Sequence, residues 1–331
     1  MIIDNNFYLC IRIWRKMMRN YILSFVLSLL PAALWSQESQ TVYNFLRLPV
    51  SAHAAALGGE NITIVEDDAS LIFSNPALLS SVSDKTIGLN YMNYMSGAQT
   101  ASASFNRIFK EKTSVAATAQ YMNYGKMKEV DENNIQTGEF SAKDISFAGY
   151  LSYMLGKRLA GGITAKLITS YIGDYNSIGF GVDLGLNYYD PDRELSFSIA
   201  AKNLGGQLKA YNDRYEHMPI DLQAGVSKKF RAFPVRLSAT LVDLNHGGYT
   251  FVNHLVVGAD VNLSQSIWIG AGYNFRRARE MRIVDDEDES SHAAGLSFGA
   301  GVNLERFKLN LAYGKYHVSS NSILVNLAYT L

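Results

Sequence analysis

From residue 85 to the end of the chain, apolar and polar positions alternate with a period of two, the mark of strands with one apolar face. In 177–189, Ile178, Phe180, Val182, Leu184, Leu186 and Tyr188 fall on one side. Gly179, Gly181, Asp183, Gly185 and Asn187 fall on the other. The stretch 195–202 repeats this, as do the last ten residues, where only Leu324 breaks phase. Fourteen segments are predicted, at 85–94, 101–109, 113–124, 144–155, 158–171, 177–189, 193–203, 218–229, 234–243, 253–263, 266–276, 292–303, 305–316 and 322–331. They are longer than the five or six residues usual in soluble strands. They match the roughly 9–11 residues that a tilted strand needs to cross a bilayer.

The connections alternate too. After even-numbered segments they are tight, at 110–112, 156–157, 190–192, 230–233, 264–265 and 304–305. After odd-numbered segments most are longer: 95–100, 125–143, 172–176, 204–217, 244–252, 277–291 and 317–321. Outer-membrane barrels pair short periplasmic turns with longer outside loops. Within lipid every backbone N–H and C=O must pair internally, so such a sheet has to close. The predicted fold is therefore all-β, a transmembrane antiparallel β-barrel of about fourteen strands, integral to the outer membrane of a Gram-negative cell. Tyrosines near the segment ends, such as Tyr91, Tyr121, Tyr153 and Tyr313, would supply interfacial girdles. A soluble β-sandwich shares the alternation; strand length and loop asymmetry argue against it.

Composition narrows the chemistry. Mean hydropathy is close to zero, which excludes a multi-helix membrane protein but not a barrel, whose two faces cancel. Residues 1–36 read as a signal peptide, with Arg15, Lys16 and Arg19 before the apolar run 21–35 and alternative starts at Met17 or Met18. Without them the charge balance becomes −3, with no nucleic-acid footprint. The single cysteine, Cys10, lies in this leader, which removes disulfides and thiol chemistry from the mature chain. The six histidines have no metal-ligand spacing, and the glycine pairs of 179–185 and 270–272 lie inside strands rather than at a phosphate-binding turn. No enzyme activity, cofactor or metal is expected. The sharpest charge run is 276–291, where Arg279 and Arg282 precede Asp285, Asp286, Glu287, Asp288 and Glu289. It is an outside loop, either simply solvated or docking a partner.

Residues 37–84 stand before the first strand and do not alternate. A fourteen-stranded lumen is too wide for its own side chains to fill, so this segment is expected to enter from the periplasm as a plug. Gly58 and Gly59 permit tight backbone, Asp67 and Asp68 start turns, and Asn75-Pro76 is helix-start chemistry. The run 51–80, an Ala-rich lead followed by a glycine pair, an acidic pair and Asn-Pro-Ala, resembles the N-terminal signature of FadL-like outer-membrane barrels. Its short form, with 201–206 and 218–230, is most similar to the PorV- and PorQ-like barrels of the type IX secretion system, the PorQ-like ones above all. The resemblance implies a non-enzymatic outer-membrane component that anchors surface partners for cargo export and cell-surface attachment. Its expected partners are outer-membrane lipid and attachment-complex proteins of PorZ, PorU and PorV type. The alternative within the same superfamily is a transporter of hydrophobic small molecules. The resemblance has one departure: the chain ends in Leu331 rather than an aromatic residue.

Overall fold

The first strand shows the rule the whole wall follows. In β1 (Thr86–Asn93), Ile87, Leu89 and Tyr91 are exposed while Thr86, Gly88, Asn90 and Met92 are buried or inward. Apolar-out and polar-in is the reverse of a water-soluble sheet, and in a closed barrel it places the oily face against lipid. A computed structural model describes residues 41–331 except 96, 134, 282, 285–288, 291–293 and 318–319. Residues 41–244 and the described part of 249–331 form one compact unit, and 245–248 fall outside it.

The sheet closes with fourteen antiparallel strands in sequence order. After β1 come β2 (Gln99–Lys110), β3 (Thr113–Val130), β4 (Gln136–Met154), β5 (Leu159–Ile172), β6 (Tyr175–Asp190) and β7 (Leu195–Lys209). The second half is β8 (Asp221–Lys229), β9 (Val235–Leu241), β10 (Leu255–Asn262), β11 (Ile267–Asn274), β12 (Leu296–Asn303), β13 (Phe307–His317) and β14 (Ser320–Thr330). The seam is β1 on β14, with Leu89 opposite Leu327. Phe147, Leu167, Ile199 and Phe298 are among the many exposed side chains of the outer face. A soluble protein does not leave so much contiguous apolar surface in water.

All fourteen predicted segments coincide with strands, but the wall is uneven. The strands β3 and β4 reach 18 and 19 residues, whereas β9 has 7. Residues 124–141, expected to be mostly loop, continue these two strands as a ribbon beyond Asn123, the last β3 partner of β2, and Ala142, the outermost β4 partner of β5. The ribbon stands in water, so no lipid imposes alternation on it. Residues 204–209, also expected to be loop, extend β7 past a bulge in which Asp183 faces both Lys202 and Asn203. Asn203 is left-handed there, φ 58°, and the extra residue reverses the phase of the pattern. The loop from 277 opens with a short helix, α3 (Phe275–Glu280), whose first turn is capped by the Asn274 side chain accepting from Arg277 N–H. Among the described residues, the other two α-helices are α1 (Ala52–Ala56) in the plug and α2 (Phe251–His254) before β10.

The pre-barrel segment fills the lumen, with its first described residues at the long-loop end. Val42, Tyr43, Phe45 and Leu46 pack with Ala98 and Met218, which belong to the long connections after β1 and β7. The Val42 N–H donates to His217 O at 3.0 Å. From there the chain descends through α1 and two 3₁₀ turns, Ala69–Phe73 and Pro76–Ser81, to Thr86 at the tight-turn end. Leu57, Ile62, Ile64, Leu71, Leu78 and Leu79 are fully buried within it. Each such side chain contributes about 1.5–3 kcal/mol.

Candidate functional site at the contact of plug and wall

The plug fits because the wall is slim where it passes. Gly162, Gly185 and Gly272 face inward, and a Cβ on any of them would overlap Pro76, Asn75 or the Leu57 backbone respectively. The glycine pair works differently. Gly58 and Gly59 sit at φ 108° and 100°, beyond the reach of other residues, and turn the chain at the end of α1. Asn274 Nδ2–H donates to Gly58 O at 3.3 Å.

Asn75 and Pro76 begin the second 3₁₀ turn. The Asn75 Oδ1 accepts from Ala77 N–H at 3.0 Å, and its Nδ2–H donates to Ile62 O at 3.1 Å, tying two parts of the plug together. Asn75→Ala is expected to cost about 1–2 kcal/mol, since it removes a cap and strands a buried carbonyl. A lower thermal midpoint in detergent checks this, with Ser80→Ala, which loses a single part-buried bond to Ala77 O, as the mild comparison.

Asp67 and Asp68, adjacent in sequence, have separate roles. Asp67 pairs with Lys308 Nζ at 2.5 Å and accepts from Ser83 N–H and Oγ–H, each at 2.7 Å. Burial works against its charge, but Lys308 and the Ser83 bonds outweigh that and hold its pKa below the usual carboxylate value. Asp68 caps the first 3₁₀ turn through Ser70 N–H at 2.8 Å, and burial pushes its pKa up.

The densest contact joins α1 to the far wall, and the sequence did not single it out. His53 is buried and lies flat on Trp268, with ring centroids 3.7 Å apart and planes at 11°. Its Nδ1 is 3.2 Å from Glu66 Oε2, and its Nε2 is 3.8 Å from Asp260 Oδ2. Arg236 joins both acids, donating from Nη2 to Glu66 Oε1 at 2.8 Å and from Nε to Asp260 Oδ2 at 2.9 Å. Burial alone would lower the His53 pKa, but Glu66 and Asp260 reverse that and raise it. Burial likewise opposes the charge on Glu66, and Arg236 and His53 overcome it, holding this carboxyl far below its ordinary range. Arg236 Nη2 also lies 3.2 Å from His53 Nε2, so a protonated His53 sets two cations side by side between two anions. The Trp268 Nε1–H donates to Asn310 Oδ1 at 3.1 Å, and Asn310 Nδ2–H donates to Asp68 at 3.2 Å, so the network returns to the plug.

Two cavities border these ties. One, about 30 Å³, has Leu46, Leu48, Pro49, Val50 and Phe73 of the plug on one side and Thr118, Tyr150, Lys166 and Lys202 of the wall on the other. It has room for one or two waters. Glu60 also lines it; burial raises its carboxyl against the pull of Lys202, 4.0 Å away. The second, about 110 Å³, lies at the tight-turn end and reaches Glu66 and Arg236 from below, past Thr63, Tyr189 and Ser227.

The charged loop is only partly placed. Arg279 is in α3, and the backbone of Glu289 is in a two-residue ribbon with Ile283–Val284. Arg282 and Asp285, Asp286, Glu287 and Asp288 lie outside the described residues. No metal-binding group of acids or histidines is found among the described residues.

No family model matches the sequence, and no curated protein matches it either. Solved structures do match in fold. The Pseudomonas putida toluene transporter TodX aligns over 89% of this chain and 98% of its own, at 13% identity and TM-score 0.55. The monoaromatic hydrocarbon channel CymD gives 86%, 97%, 15% and 0.56. A Pseudomonas aeruginosa FadL homologue gives 85%, 98%, 10% and 0.52. The chain therefore has the fourteen-stranded FadL-like fold, that of integral outer-membrane barrels. These likenesses carry the FadL-like part of the expected resemblance and do not single out the secretion-system barrels within it.

Proposed function

We propose that the protein is an outer-membrane channel for hydrophobic small molecules, closed in this state by its plug. The observation that carries this is the cavity between the plug and the β3–β7 wall, where Leu46, Leu48, Pro49, Val50 and Phe73 supply an apolar part beside the charged Glu60, Lys166 and Lys202. At about 30 Å³ it admits no organic molecule as it stands, so passage requires the plug to shift. The fold likeness to TodX and CymD supports the same substrate class. In the test, purified protein is soaked with toluene or a long-chain fatty acid, and what it retains is measured by mass spectrometry. Whole cells are then compared with and without the gene for uptake of the labelled compound. Retention together with uptake several-fold faster in cells carrying the gene is expected. Neither effect appearing would overturn the reading.

A second reading, anchorage of surface partners in a type IX secretion system, is favoured by the projecting ribbon 124–141, whose two strands pair with each other beyond the rest of the wall. A tagged-protein pull-down would recover attachment-complex proteins of PorZ, PorU or PorV type under this reading, and none under the first.

A further inference from the structure

Charge is divided unequally between the two ends of the barrel. The long-loop end carries the acidic run 129–132, whereas the tight turns are rich in lysine and arginine. The strongest concentration is where two turns lie side by side. The Met154 N–H donates to Lys112 O at 2.9 Å, which sets the β2–β3 turn against the β4–β5 turn. Lys110, Lys112 and Lys157 are exposed there, and none makes a side-chain ion pair among the described residues. Glu111 is the nearby acid. Arg107 is engaged with Asp84 at 3.4 Å, and Arg158 with Asp190 at 3.0 Å.

What faces this patch is fixed by the membrane. Phe109, Leu155 and Tyr153, 70%, 58% and 47% exposed, flank the three lysines on the outward side and end the apolar belt. Aromatic residues at the end of such a belt lie at headgroup level. The three exposed lysines therefore lie at the depth of the periplasmic leaflet's phosphates, close along the chain to the outward Phe109 and Leu155. We propose that Lys110, Lys112 and Lys157 form a binding site for anionic glycerophospholipid, with phosphate held by the lysines and acyl chains by the adjoining belt. Three cations over two neighbouring turns suit a headgroup with two phosphates better than one. Each lysine near a charged membrane surface adds to the attraction, and salt weakens it.

The test uses delipidated full-length barrel in neutral detergent, titrated with phosphatidylglycerol, cardiolipin or phosphatidylcholine and read by native mass spectrometry. About a tenfold or greater preference for the anionic lipids is expected, cardiolipin foremost, falling as salt rises. The triple variant Lys110→Gln, Lys112→Gln, Lys157→Gln should bind all three lipids within about twofold, while Lys126→Gln with Lys128→Gln, at the opposite end, keeps the preference. All three positions are exposed, and an unchanged heat-shift on gels would show that the variant is folded. A preference surviving the triple change would overturn the site. Displacement of bound lipid by the deacylated headgroup at equal concentration would overturn its assignment to a lipid, as would selective binding of an acidic protein instead.

Discussion

Arg236→Met should destabilise the plugged barrel by about 3–5 kcal/mol, the cost of leaving buried charges without their partner. The change keeps an unbranched apolar stem but removes the guanidinium, and leaves Glu66 and Asp260, both beside a buried His53, with one cation between them. The Trp268 ring reports on the loss because His53 is stacked on it. The other two tryptophans, Trp14 and Trp35, lie within residues 1–36, so in protein expressed from residue 37 emission comes from this one position. A lower unfolding midpoint and shifted Trp268 emission are expected, with faster proteolysis of 41–84 while the wall remains resistant. An unchanged midpoint and digestion pattern would show that the four groups do not hold the plug.

The same cluster predicts how pH acts. The Glu66 carboxyl is held below its ordinary value of 4.5, so its contribution is present above that pH and is lost as pH falls through the folded value. The His53 pKa is raised above 6.5, so its contribution is full below 6.5 and is lost as pH rises through the folded value. The tie is therefore tightest between roughly pH 5 and 6.5. Trp268 emission should change as His53 loses its proton on the alkaline side, and His53→Gln should abolish that change.

Gly272→Val should have the second large effect, about 3 kcal/mol or more if the plug stayed in place. The new side chain would overlap the Leu57 and Gly58 backbone. The wall cannot retreat, because Gly272 is laddered to Gly258 on one side and Ser297 on the other. The plug must yield instead, and planar-bilayer recording should change from closed to steady conductance. Gly149→Val is the control, since a Cβ there meets nothing within 4 Å. Equal behaviour of the two variants would refute a wall built to the shape of the plug.

The fold was legible because lipid imposes a strict rule on one face of each strand. Ile178 to Tyr188 obey it without exception, and β6 lies where the pattern puts it. Where lipid is absent the rule lapses. The ribbon of β3 and β4 is wet on both sides, and the β7 bulge at Asn203 shifts the phase. The plug was recognisable by its lack of alternation, and Gly58, Asp68 and Asn75 perform the turn and cap roles their types suggest. Its path was not legible, because position along the lumen depends on contacts such as Val42 with His217, far apart in sequence. The His53 cluster was missed for the same reason: its members come from α1, the plug, β9, β10 and β11. One signal was available. Trp268 is a large aromatic on the side of β11 otherwise held by Gly270 and Gly272, and Arg236 and Asp260 stand likewise on the polar faces of their strands.

The plug runs lengthwise through the lumen from the loop end and is continuous with β1, one of the two strands at the seam. A finished cylinder could receive it only by having the chain threaded back through a bore already shut. Gathering residues 41–84 against the nascent sheet before β1 and β14 meet avoids that threading, since the stopper is then laid in while the vessel is still open.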